Sequence, residues 1–219
     1  MSDPLPSGTV VVLRDAPHLE LLLLQRRARG GKEGLWVFPG GKVEDADVRP
    51  GEGPAHDARR AAVREAHEES SLRLDGDSLL PISRWITPVV SPKRFDTWFF
   101  LTPTAPDVAV VVDGEEMADH RWLSPSAALE AHHAQALRLP PPTFVTITWL
   151  DAFARTADAL RELPGRMPPP FRPRIHRVET GACMLYPGDA GYESGDLEAV
   201  GARHRLWAAG DPWRYERTS

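Results

Sequence analysis

Residues 58–70 carry two demands that only one kind of packing meets. Read as a helix, the stretch sets Ala61, Ala62 and Ala66 as side chains small enough to press against a sheet. The same helix places Glu65, Glu68 and Glu69 three and four positions apart, so their carboxylates project from one face. Three like charges gathered there repel one another at neutral pH unless a positive charge is supplied. A hard divalent cation supplies it, and carboxylate oxygens are the ligands that magnesium and manganese prefer. Arg64, directly before the trio, is placed to brace one carboxylate or the adjoining loop through its planar fork. The alternative is a solvated acidic face on a surface helix.

The context upstream narrows that choice. Leu35-Trp36-Val37-Phe38-Pro39-Gly40-Gly41-Lys42-Val43-Glu44 reads as a short apolar strand closed by a Pro-Gly-Gly turn, where glycine allows close approach of backbone to a ligand. Strand, glycine turn, loop and acidic helix together resemble the signature of the Nudix (MutT-like) hydrolases. Gly41 matches the signature's first glycine, Arg64-Glu65 its middle pair, Glu68-Glu69 its metal-binding pair and Leu72 its final apolar position. Two positions depart from it. The loop between Gly41 and Arg64 is longer than usual, and counting back from Arg64 puts the signature's first glutamate on His56. Asp57, about two helical turns before Arg64, is the candidate for the bracing role. Ser71 replaces the signature glycine at the helix end, where a left-handed residue is often wanted.

A second block sharpens the resemblance. Trp85-Ile86-Thr87-Pro88, followed by residues 93–101, looks like the coenzyme A diphosphatase-like and peroxisomal-type branch, which also lengthens the loop before its catalytic helix. Residues 115–123 resemble the late Nudix segment, an acidic residue shortly before an Arg-Trp strand. The resemblance covers residues 8–135 well. It implies a magnesium or manganese ion held by Glu65, Glu68, Glu69 and the backbone carbonyl of Gly41, with Arg64 bracing them. Glu116, with Glu115 as the fallback, would join the metal shell or act as general base, a choice left open with the helix carboxylates. Arg26, Arg27, Lys93 and Arg94 are candidates for substrate phosphate contacts, ordinary surface charge being the other reading.

Composition bounds the rest. With 219 residues, 42% of them hydrophobic, the chain is long enough to bury a core in one domain plus an extension. A net charge of −5 provides no basic field for nucleic acid or an acidic membrane surface. A single cysteine, Cys183, excludes an internal disulfide and fits a reducing compartment, which points to the cytoplasm. The opening residues show neither a basic region nor a long apolar core, and no stretch has the length of a membrane span.

Periodicity organises the chain. Residues 9–13 and 19–24 are apolar runs split by a turn, a hairpin. Strands are expected at 82–87, 98–102 and 120–123, then a helix capped by Ser124 with Pro125 in its first turn. A single long helix is expected over 143–163, with Phe144, Ile147, Leu150 and Phe153 on an apolar face for the core or for a second copy in a homodimer. Residues 164–173 read as a Pro-rich linker, and the tail has a strand at 182–186 and a Pro187-Gly188-Asp189 turn. His132 and His133 are expected on a solvated helix face, and His176, His204 and Asp189 lack metal-site spacing. Trp207, Trp213 and Tyr215 are read as packing residues.

The resulting expectation is an α/β fold: a Nudix α/β/α sandwich with a mixed sheet over 1–163, its catalytic helix near 58–70, and an extension over 164–219 packing on the core. Its function would be metal-dependent cleavage of the diphosphate in a nucleoside diphosphate joined to another moiety, coenzyme A-like, ADP-ribose-like or dinucleotide. The competing reading is a non-catalytic Nudix domain that binds a nucleotide as a sensor. A Nudix-fold isomerase or base-excision enzyme would need nucleophilic or DNA-reading features that the acidic charge and Cys183 do not supply.

Overall fold

The structure is a computed structural model that describes residues 3–28, 34–164, 170–210 and 212–218. Two apolar runs pair as β1 (Leu5–Asp15) and β2 (Leu19–Arg26), antiparallel through Leu13↔Leu21. Short strands β3 (Trp36–Val37) and β4 (Gly40–Lys42) flank the glycine turn. After α1 (Pro54–Ser70) come β5 (Leu80–Ile86), β6 (Phe95–Pro103) and β7 (Met117–Leu123). These strands form one sheet with the path β3-β2-β1-β6-β5, β4 joining β1 and β7 joining β2. The β1–β6 pair is parallel and the others antiparallel, so the sheet is mixed, as expected.

One edge of β1 changes partner along its length. Near its end it pairs with β2, and near its start Ser7, Gly8 and Thr9 pair with Lys42, Gly41 and Gly40 of β4. The glycine turn is thereby stitched into the sheet directly beneath α1.

Alternation along the strands splits the core in two. Val10, Val12, Leu22, Leu24 and Phe100 face α1, meeting Ala58, Ala62 and Ala66. Val11, Leu13, Leu21, Leu23 and Phe99 face the other way, toward α2 (Pro125–His133), α3 (Pro141–Leu150) and α4 (Thr156–Glu162). The α1 contact is close because both partners are small: a Cβ on Gly8 would lie 1.8 Å from the Ala58 carbonyl oxygen.

Helix boundaries differ from the sequence expectation in two places. α1 begins at Pro54 rather than 58, since proline at the first turn has its φ preset and needs no partner for an N–H. The expected single helix over 143–163 is two, α3 and α4, broken at residues 151–155. The break is made by tertiary contacts. Asp15, the last residue of β1, accepts hydrogen bonds from both the Thr156 N–H and its hydroxyl at 3.0 Å, and Arg155 donates to the Pro17 carbonyl. Within α3, Phe144, Val145, Ile147 and Leu150 are buried within one chain. The expected cap holds at α2, where the Ser124 hydroxyl accepts from the Ala127 N–H with Pro125 in the first turn.

Half of the expected Pro-rich linker, residues 165–169, lies outside the described residues. The chain reappears against the sheet edge at Phe171, which exchanges backbone hydrogen bonds with Arg84 and Ile86 of β5 and stacks on Trp85 with centroids 3.9 Å apart. Beyond it, β8 (Arg174–Val178), β9 (Gly181–Leu185), β10 (His204–Ala209) and β11 (Arg214–Arg217) form a second antiparallel sheet, of which sequence patterning gave only the strand at 182–186. A buried ion pair ties it together: Arg205 Nη2 lies 2.6 Å from Asp189 Oδ1. The same Asp189 accepts from the His204 N–H, so Asp189 and His204 do structural work in the tail. His132 corrects another expectation. It is partly buried, 5.1 Å from the Phe144 ring and 4.7 Å from Trp213, because residue 213 returns to cover α2 and α3. No helix among the described residues is long and apolar enough to cross a membrane.

Candidate functional site

A cavity of about 790 Å³ opens where β4, the start of β1 and α1 meet. Its walls include Gly40, Gly41, Glu65, Glu69 and Glu116, and also Arg26, Arg27, Lys93 and Arg138. The elements explain the arrangement. Ala58, Ala62 and Ala66 seat α1 on the sheet, and the helical repeat then turns Glu65 and Glu69 toward the glycine turn. Gly40 donates its N–H to Glu69 Oε2 at 2.9 Å. Gly41 lies so close to Glu65 that a Cβ there would fall 2.2 Å from the carboxylate carbon.

Burial and mutual repulsion set the charges. Burial pushes Glu69 up to about 8, with Glu65 and Glu116 adding to the rise and the Gly40 N–H and Arg26 opposing it. Burial also raises Glu65, against the pull of Arg64 and with the push of Glu68 and Glu116. Carboxylates with raised pKa values facing a cleft want a cation.

Glu68 is placed differently from its two neighbours. It is exposed, accepts a hydrogen bond from Arg64 Nη1 at 2.8 Å, and is not part of the cavity wall. Arg64 is the hub of a clamp: Nη1 also reaches Glu65 Oε1 at 3.0 Å, while Nη2 donates to the Lys42 carbonyl and to Asp47 Oδ2, both at 2.9 Å. Asp47 is the partner that counting along the sequence missed. It sits in a 3-10 turn at Asp45–Asp47, is buried, and also accepts from the Glu44 N–H. Asp57, the expected brace, instead pairs with Arg60 and accepts from the Arg49 N–H, and His56 is exposed. The lengthened loop folds back, so the residue that reaches Arg64 is 17 positions away rather than seven or eight.

Ser71 takes the left-handed conformation usually left to glycine, with φ 58°, and donates its hydroxyl to the Val111 carbonyl. That bond ties the end of α1 to the loop leading to Glu116. In that loop Asp113 accepts from the N–H groups of Glu115, Glu116 and Met117, which outweighs its burial and lowers its pKa. Glu116 lines the cavity and Glu115 does not. Asp113 and Arg138 carried no local signal in the sequence, since one acts only through loop geometry and the other lies between α2 and α3.

The four candidate phosphate contacts separate. Arg26, Arg27 and Lys93 line the cavity; Arg27 also donates to the Gly114 carbonyl, and Lys93 lies 5.3 Å from the Phe95 ring. Arg94 turns to the Thr87 carbonyl instead, bracing the β5–β6 turn. Cys183 is buried in β9, and burial, opposed by Arg205, pushes its thiol up to about 11, so it holds its proton at neutral pH. Among the described residues no three His, Cys, Asp or Glu side chains converge as a ready cation cage: Glu65, Glu69 and Glu116 share the cavity without closing on one point. Their donor set suits a hard cation all the same, being all oxygen and set against Gly40, where the Gly8 and Thr9 backbone leaves no room for a side chain.

Comparison with known proteins bears on the family and the fold. An acyl-coenzyme A diphosphatase of Xenopus laevis, NUDT19, is 32% identical over 123 residues, 52% of this chain and 32% of that one. The putative nudix hydrolase 7 of Caenorhabditis elegans is 29% identical over 193 residues, 71% of this chain and 63% of that one. The chain thus spans about a third of the length of the first relative and less than two thirds of the second. Among solved structures, a NUDIX hydrolase of Alicyclobacillus acidocaldarius superposes with a TM-score of 0.65 at 22% identity, covering 74% of this chain and 98% of that one, a likeness of fold. The pattern of the NUDIX domain matches residues 4–142, well over half of the sequence, and by that match the chain belongs to the NUDIX family.

Proposed function

We propose that the chain hydrolyses the diphosphate linkage of a nucleoside diphosphate joined to a second moiety, with a magnesium or manganese ion as cofactor. The observation that carries this reading is the single cavity holding Glu65, Glu69 and Glu116 together with Arg26, Arg27, Lys93 and Arg138. A diphosphate is a polyanion, so its cleavage demands neutralisation of charge and in-line positioning. Cationic side chains beside carboxylates meet both demands, whereas a purely electrostatic anion site would exclude the carboxylates. The acyl-coenzyme A diphosphatases among its relatives support a coenzyme A-like substrate over ADP-ribose or a dinucleotide.

Glu65, Glu69 and the Gly41 carbonyl would hold the ion, with Glu68 at the rim. When bound, the ion supplies positive charge to the phosphoryl oxygens and lowers the pKa of water. The residues of the chain do the rest. Arg64, held by Asp47 and the Lys42 carbonyl, fixes Glu65 and the glycine loop in register. Arg26, Arg27 and Lys93 bind the outer phosphate oxygens and orient the linkage. Glu116, on its Asp113-stabilised loop, accepts the proton from the attacking water. The lone buried cysteine supports a cytoplasmic, reducing setting.

A turnover screen with magnesium or manganese tests this against coenzyme A, ADP-ribose, dinucleotides and nucleotide sugars, products being identified by mass. The expected outcome is two phosphate-bearing products from one of them, lost in folded Glu69→Gln protein. Near-parental turnover by Glu69→Gln would sink the metal-helix mechanism. Tight binding without metal-dependent turnover would favour a nucleotide-sensing domain.

A further inference from the structure

Beside the polar cavity lies a second one of about 380 Å³. The two share walls, because Thr9, Arg26, Gly40, Phe95 and Thr97 line both. One ligand molecule can therefore reach from the first into the second. Their chemistry differs sharply. Arg26, on the shared boundary, is the only charged side chain lining the second cavity among the described residues; the rest of the lining includes Phe38, Trp85, Phe99 and Pro141. Serine and threonine hydroxyls and Tyr186 also line it, but most of the wall is aromatic, proline and aliphatic surface, which an aliphatic chain covers without bringing a donor or acceptor of its own. The volume falls within the range of sites for small molecules.

Part of this lining comes from beyond residues 4–142, the stretch that matches the NUDIX domain. Ile175 of β8 and Met184 of β9 are register partners, and both line the cavity. Ile175 remains 44% exposed on the outermost strand of its sheet, more than a residue serving only the core would be.

The geometry points to the tail as part of the substrate site: the Ile175–Met184 pair completes an apolar compartment for an aliphatic chain carried by the far side of the diphosphate, an assignment that rests on the diphosphatase reading above. Substrate choice is then set in two places, the charge in the NUDIX cavity and the chain in the tail.

Isothermal titration, in magnesium buffer, with methyl, butyl and octyl monoesters of adenosine methylenediphosphonate tests it, since the methylene bridge prevents cleavage. Affinity is expected to rise up to about fourfold per methylene until the compartment is full. Ile175→Asp and Met184→Gln should each flatten that slope while leaving the methyl probe's Kd unchanged, their melting curves reporting that both variants fold. A flat chain-length series in the parent protein, no binding of the octyl probe, or equal weakening of methyl and octyl probes by the variants would overturn the compartment. Oxygen-bridged esters separate the two readings. A steep chain-length series with no hydrolysis keeps the compartment and removes the hydrolase; hydrolysis with a flat series does the reverse.

Discussion

Glu69 is buried, and the proposed role of holding a cation would require it to carry charge, a conflict that is measurable. Without a cation its carboxyl rises from the ordinary value of 4.5 to about 8. The folded protein then holds a proton across that window which the unfolded chain has released. Stability of the metal-free protein should therefore fall as pH rises from about 5 to 8, by an amount on the order of a few kcal/mol. Thermal unfolding across that range should show the decline, Glu69→Gln should flatten it, and magnesium should stabilise the parent most at the alkaline end. Asp47 makes a second test at the same scale. If it positions Arg64, Asp47→Asn should cut turnover about tenfold with the fold intact, while Asp57→Asn leaves kcat unchanged. The placing of Glu65 and Glu69 on one side of α1 was legible in the sequence from helical spacing, whereas the exposure of Glu68 outside the cavity wall was not. Asp47 was not, because a loop's return path is written in its three-dimensional course and spacing counts assume none.

At the scale of elements, α1 is positioned by two glycines, and they should fail differently. A Cβ on Gly8 would meet the Ala58 carbonyl oxygen at 1.8 Å, and a helix backbone cannot yield without lifting from the sheet. Gly8→Ala should cost about 3 kcal/mol in denaturant unfolding. A Cβ on Gly41 meets the tip of the Glu65 side chain instead, which can swing aside. Gly41→Ala should spare most of the stability and lose turnover and magnesium affinity, read by parallel unfolding and titration. The strands and α1 followed from apolar alternation and from the alanine and glutamate spacing. The α3–α4 break did not, because residues 143–163 have an unbroken apolar pattern and the interruption comes from Asp15, more than a hundred positions away. The second sheet escaped for a related reason: its strands are short, and their faces are assigned by what they cover.

For the whole molecule, the question is whether the tail folds with the NUDIX sheet or apart from it. Phe171 joins the β5 edge by two backbone hydrogen bonds and stacks on Trp85, and Tyr186 and Leu206 belong to the same buried cluster as Val11 and Leu23. Such shared burial is expected to couple the two parts into one cooperative unit. The Asp189–Arg205 pair is the place to test it. Burial opposes ionisation of Asp189, but Arg205 and two backbone N–H groups prevail and hold it at about 2, below the ordinary 3.8. A depressed carboxyl contributes stability that is present above about pH 4 and lost as pH falls toward 2. Asp189→Ala leaves the Arg205 guanidinium buried without its carboxylate and should cost about 3–5 kcal/mol at neutral pH. It should also shift acid unfolding upward in pH. If the parts are coupled, tryptophan fluorescence and far-ultraviolet circular dichroism will report one transition, moved by the same amount. Two transitions, only the tail's being shifted, would mean that the sheet carrying Ile175 and Met184 can detach, and the chain-binding wall with it.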